Sequence, residues 1–227
     1  MKSHGFSRRT RQSGFTLVEI AIVLVIVGLL LAGVLKGQEL IERNHTHAAA
    51  AELNSISAAN NAYVDRFRRA PGDDGPLATL TGRGGPWANV TVGGNADGIL
   101  VSAGAAVFVP AAESLAFWQS LKAAGFITGN PADVGAAAAP RNAFGGLLGV
   151  IGAGAAVSGA NGASVCLSQV PGKAARSLDA QLDDGITDSG AVRATLAVAG
   201  ANTAPGAAVV AATGYVDTAV YTVCRTL

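Results

Sequence analysis

Glu19 is the first residue here that could do chemistry, because it is the lone charge in the 21 residues from Phe15 to Leu35. A carboxylate set that far into an apolar segment costs on the order of several kcal/mol and usually marks function. It needs a cationic partner. Cys166 and Cys224 are the only cysteines, too few for a four-thiolate zinc site and not in a CxxC pair. They read as one disulfide in an exported domain, or as two free thiols in a cytosolic one. Asp179, Asp183, Asp184 and Asp188 fall within ten residues around Gly185. Oxygen ligands at such spacing suit calcium, but the spacing is not that of an EF-hand, and a polar helix end followed by a turn explains the same residues. His45 and His47 stand two apart and face different directions on a helix, and His4 lies near the start. Arg66, Arg68 and Arg69 form a small cationic cluster. It suits a helix C-terminus, with DNA as the alternative partner. No GxSxG, HExxH or P-loop occurs, so no catalytic residue, no enzyme activity and no obligatory cofactor are expected.

The elements that hold these residues follow from the apolar pattern. A helix over residues 15–35 is long enough for the hydrocarbon of a bilayer. Lys2, Arg8, Arg9 and Arg11 precede it without an acid among them, which keeps that end cytoplasmic and sends the rest across. A plain signal anchor fits the same block. So does a cleaved secretory signal, because Leu31-Ala32-Gly33-Val34 offers a small-residue site. Residues 36–70 continue as an amphipathic helix, with Leu40, Ile41, Ala48, Leu53, Ile56, Ala59, Tyr63 and Phe67 at helical spacing. Pro71-Gly72-Asp73-Asp74-Gly75 stops it. From Phe15 the helix would run roughly 80 Å.

Residues 71–112 read as a long loop with short strands at Val90–Val92 and Ile99–Val101. Helices are expected at Glu113–Ala124 and from Lys173 to about Leu182. Phe144–Val157 suits a bent strand pair or a subunit surface. Strands are expected at Val165–Val170, Ala191–Ala199, Ala207–Ala212 and Tyr215–Val223. Trp118 reads as core. Trp87, in a Gly-Pro loop, reads as partly exposed and as a subunit contact. The fold class is therefore α+β: a long N-terminal helix packed on an antiparallel sheet in a head spanning residues 71–227.

Half of the 227 residues are hydrophobic but only 5% are aromatic, so the head builds its core from small side chains and benefits from a covalent staple. Without the four cations of the first fourteen residues, 12 basic side chains remain against 15 acidic ones. A net −3 gives no global attraction for nucleic acid.

The stretch Arg11-Gln-Ser-Gly-Phe-Thr-Leu-Val-Glu19, followed by a long aliphatic run, closely resembles the class III leader and first helix of type IV prepilins and of type II secretion pseudopilins. The likeness covers about forty residues; the PGD stretch near Pro71 and the segments AFWQSLKAAGFI and PGKAARSLDAQLDDG extend it more loosely. The resemblance implies a ladle-shaped molecule. Residues 1–14 are then a leader removed by a prepilin peptidase, Gly14 precedes the cut, and Phe15 becomes the N-methylated first residue. Residues 15–35 are the transmembrane and assembly helix. Glu19 guides docking into the filament by pairing with the new amine of a neighbour. Gly28 matches a glycine at which many such helices loosen. Lys36 stands where many relatives carry proline, so helix melting at that point is not carried over.

The family's frequent C-terminal disulfide would join Cys166 to Cys224. Some relatives bind calcium in the head, where Asp179, Asp183, Asp184 and Asp188 would be the ligands. The implied role is a major or minor pilin. Alternatives are a type II secretion pseudopilin or a tip pilin that binds DNA or a surface. The implied partners are other pilins, the peptidase, an inner-membrane platform with its ATPase, and lipid before assembly. The implied location is the bacterial inner membrane, then the cell surface or a periplasmic pseudopilus.

Overall fold

The computed structural model describes residues 14, 16–102, 104–152, 162–206 and 214–227. The leader 1–13, Phe15, the expected strand Ala207–Ala212 and residues 153–157 of the Phe144–Val157 stretch lie outside them. The chain forms two compact units, Met1–Glu42 and Arg43–Leu227.

Helix α1 spans Leu17–Phe67. In the first unit, residues 17–36 are all exposed, and this stretch is apolar and long enough to cross a membrane. Its aliphatic side chains are typical of a membrane span, and Gly28 and Gly33 do not interrupt it. Lys36 bonds Glu39 at 2.7 Å, so the position that could have held a proline instead carries a pair at helical spacing.

The end of α1 falls short of the expected Ala70. Arg68 takes φ 59°, the left-handed conformation of a helix C-cap, and its N–H donates to the Val64 carbonyl at 2.7 Å.

In the second unit, α1 buries one stripe: Ala49, Leu53, Ile56, Ala59 and Tyr63. Opposite it lies a four-stranded antiparallel sheet in the order β1-β2-β4-β3. The strands are β1 Leu148–Ile151, β2 Ser164–Pro171, β3 Val192–Ala197 and β4 Val220–Thr226. Alternation sends Leu148, Val150, Val165, Leu167, Tyr221, Val223, Val192 and Ala194 into one core with the α1 stripe. Each large side chain buried there contributes roughly 1.5–3 kcal/mol. Helices α3 (Ala112–Ala123) and α4 (Gly172–Leu182) complete that core through Leu115, Phe117, Trp118, Leu121 and Leu178. The other face of the sheet holds a smaller cluster of Val107, Phe108, Ile151, Cys166 and Cys224.

The last strand begins later than expected, because residues 214–219 are loop and turn. The expected strands at Val90–Val92 and Ile99–Val101 are absent: a short α2 (Leu77–Thr81) and a 3-10 turn at Gly85–Asn89 precede irregular chain. Side chains satisfy its backbone instead. Gln119 accepts from the N–H groups of Thr91 and Val92 at 2.9 and 3.3 Å. Asp73 accepts from those of Ala96 and Gly98 at 2.6 Å each.

Two outward donors of edge strand β3 are engaged: Val192 N–H bonds the Asp183 carboxylate at 3.0 Å and Ala194 N–H the Thr187 carbonyl at 3.0 Å.

Candidate functional site

The start of α1 is built by two residues. Thr16 sits at the N-cap and Glu19 three positions on. The Thr16 N–H and hydroxyl donate to Glu19 Oε2 at 2.8 and 2.9 Å, and the Glu19 N–H donates back to Thr16 Oγ1 at 3.2 Å. This is a reciprocal capping box, which satisfies helix donors that have no carbonyl before them. It places the carboxylate at the positive end of the helix dipole and secures the helix start. Glu19 therefore has a neutral partner inside its own chain, where the sequence alone predicts a cation. The missed signal was the spacing Thr16-Leu-Val-Glu19 itself, the S/T-x-x-E pattern. Gly14 is described and exposed just upstream. Phe15, the expected first residue after cleavage, lies outside the described residues.

Cys166 and Cys224 form a disulfide with their Cα atoms 4.0 Å apart. They are directly opposite in the β2–β4 register, so the bond pins the C-terminal strand to the sheet and leaves no free thiol for metal or nucleophilic chemistry.

The aspartates divide. Carboxylate oxygens of Asp179, Asp183 and Asp184 lie within 4.8 Å of one another, and Asp188 is not part of that group. Their oxygens already accept protein donors. Asp179 takes the Tyr215 hydroxyl at 2.5 Å and Gly185 N–H at 3.2 Å. Asp183 takes Val192 N–H, and Asp184 takes Ile186 N–H and the Ser189 hydroxyl. Burial pushes the Asp179 carboxyl up to about 6 against the opposing Tyr215 hydrogen bond. These bonds build the end of α4 and the turn after it.

Of the stem histidines, His45 lies 6.1 Å from the Phe144 ring and His47 is exposed. Trp118 is fully buried, as expected. Trp87 is not a partly exposed contact residue: it is only 7% exposed. It stacks edge-on to Phe67 at 5.4 Å, and the Arg83 guanidinium lies 4.6 Å from each ring. Arg66 stands over the same Phe67 ring at 5.2 Å, while Arg68 and Arg69 are exposed.

Against known proteins, residues 9–35 match the family model of the prokaryotic N-terminal methylation motif. No curated protein matches the chain. The matched stretch contains Gly14, the capping box and the whole exposed apolar start of α1. The second unit, described by itself, is an α+β fold closed by a disulfide. The N-terminus of this chain is thus the class III signal and methylation segment shared by type IV prepilins and pseudopilins.

Proposed function

We propose that this chain is a structural subunit, major or minor, of a type IV pilus-like filament and that it polymerises through α1. The observation that carries the reading is Glu19: an acid inside the methylation motif, at the head of an exposed apolar helix. Cutting between Gly14 and Phe15 frees an amine four residues before Glu19 in the sequence, and methylation keeps it cationic. In the single chain the carboxylate rests on Thr16. In the filament the amine of a neighbouring copy takes it up, which neutralises two charges in an apolar bundle and fixes the stagger between copies. Before assembly the apolar start of α1 lies in the inner membrane with the head on the far side. A prepilin peptidase, an assembly platform and its ATPase are the partners. A pseudopilin of type II secretion would be processed identically and is distinguished by recovery from the periplasm, not from the surface.

Mass spectrometry of sheared filaments tests the reading. The expected N-terminus is methyl-phenylalanine from Phe15, and residues 1–14 still attached in assembled protein would overturn it. A Glu19→Val chain should be cut normally yet assemble poorly. Normal filament yield from that variant would remove Glu19 from its role.

A further inference from the structure

We infer that the end of α1 is a binding site for the phosphates of duplex DNA, made by the guanidinium groups of Arg66, Arg68 and Arg69. The site needs no filament, so it stands or falls apart from the proposed function.

These three arginines have no structural task. Residues 43–227 carry 11 basic side chains, and four of them fall between Arg66 and Arg83. Arg83 is committed to the buried Asp74. The other three are not committed. Every charged side chain of residues 43–227 is described, and no ion pair among them involves Arg66, Arg68 or Arg69. Asp65, the acid of that turn, is exposed and pairs with none of them. Cations near a helix C-terminus often bond its last carbonyls. Here the Arg68 N–H does so from the main chain, to Val64 O at 2.7 Å, and the three guanidinium groups make no such bond.

Strain points the same way. Arg68 holds φ 59°, a region where Cβ crowds the backbone and where glycine is the usual helix-closing residue. Glycine would end α1 equally well, so the strain is kept for the sake of the side chain. Beside it, the Arg66 guanidinium lies 5.2 Å from the Phe67 ring centroid, and Arg83 lies over the same ring at 4.6 Å. A guanidinium resting on a ring is partly ordered before any ligand arrives.

The chemistry of the patch selects the ligand. It is all arginine, whose planar fork of donors matches phosphate oxygens. Dense phosphate comes from an acidic membrane surface or from nucleic acid. Residues 65–70 and 83–86 contain no leucine, isoleucine or tryptophan to enter an acyl layer. Phe67 is half-buried against Arg66 and Arg83, and Trp87 is buried, so neither ring is open to stack on an unpaired base. Backbone phosphate remains, and a duplex presents about one charge per 1.7 Å of its axis. The attraction is local, because the same residues 43–227 carry 12 acidic side chains. Binding is therefore weak and indifferent to sequence.

The test uses the full chain in phosphatidylcholine nanodiscs and the fluorescence anisotropy of a labelled duplex. Mass spectrometry of each preparation establishes whether the leader cations are present, and wild type and variants are compared in the same state. Three phosphate contacts should make affinity fall about fortyfold between 50 and 200 mM salt, alike for unrelated duplexes. Changing Arg66, Arg68 and Arg69 together to Gln should weaken binding about tenfold or more at the lower salt. Arg68→Gly should reduce the salt slope by about one while raising the melting temperature. Unchanged duplex binding by the triple variant would overturn the inference. So would a lower melting temperature for Arg68→Gly, which would give that arginine a structural reason. Tighter binding of single strands than of duplex, or capture of phosphatidylglycerol vesicles without duplex binding, would assign the patch to another partner and equally overturn it. Failure of the chain to form filaments would remove the proposed function and leave this site untouched.

Discussion

The Tyr63 hydroxyl donates a 2.5 Å hydrogen bond to the carboxylate of Asp74, and both residues are buried. Arg83 donates to the same oxygen at 2.6 Å. The last turns of α1 are thereby tied to the loop that ends it and to the segment after α2. Burial, then Asp74, raises the Tyr63 hydroxyl well above the ordinary phenol range, so it stays protonated and remains a donor. Tyr63→Phe should cost about 1–2 kcal/mol by taking one donor from a buried acid. Arg83→Ala should cost more, about 2–3 kcal/mol, because it leaves the charge uncompensated. Denaturant titration of the detergent-solubilised chain, followed by tryptophan fluorescence, reads both values, and an effect below 0.5 kcal/mol for Arg83→Ala would contradict the tie.

The disulfide closes a sequence separation of 58 residues. Chain entropy gives about 4 kcal/mol for a loop of that size. The Cys166→Ala, Cys224→Ala pair should lose a comparable amount in the same titration, with the C-terminal strand β4 exchanging its amide protons first.

Asp179 provides a pH signature. Its folded value of about 6 exceeds the ordinary 3.8, so the native state holds the proton more tightly than the unfolded chain. Its contribution is fully present below about 3.8 and is lost as pH rises through 6. Between pH 7.5 and 5 the wild type should gain at most about 1 kcal/mol relative to Asp179→Asn, after allowance for solvent near the group. Parallel stability profiles for the two proteins would refute this assignment.

Thr16→Ala should fray the start of α1 by about 1 kcal/mol, and Thr16→Ser should not. Amide exchange of residues 17–20 in micelles measures the difference. Equal protection in both variants would mean that the box seen here does not hold the helix start.

Arg68 adopts a backbone conformation that costs roughly 1 kcal/mol for a residue with a Cβ. Arg68→Gly should therefore raise stability by about 0.5–1 kcal/mol. A loss of stability would show that the side chain holds the helix end.

The long helix, helices α3 and α4, and strand β2 were legible because each carries a period or a stop signal in neighbouring residues: the Leu53–Ile56–Tyr63 stripe, Gly125 after α3, Pro171-Gly172 before α4. What could not be read depends on partners far away in sequence. Val90–Val92 and Ile99–Val101 are rich in β-branched residues and read as strands, but Gln119 takes the backbone donors of Thr91 and Val92, and Asp97 and Glu113 take those of Ile99 and Val101, which a ladder would have used. Trp87 reads as exposed beside Gly85 and Pro86 because nothing local announces Phe67, twenty positions earlier, whose ring it meets edge-on. Tyr215 looked like strand, yet its hydroxyl is committed to Asp179, 36 positions earlier. The capping box is local and legible as the S/T-x-x-E spacing of Thr16 and Glu19, but the aliphatic run around it reads as a membrane span in which a carboxylate calls for a cation.

Val192 and Ala194 give their outward N–H groups to Asp183 and Thr187. Identical domains stacked side by side are the setting in which a bare sheet margin would recruit its neighbours and seed cross-β growth. With those donors already spent, such stacking stays governed by side-chain fit and remains separable into native units. An Asp183→Ala chain should show this by aggregating into thioflavin-positive material at concentrations where the wild type does not.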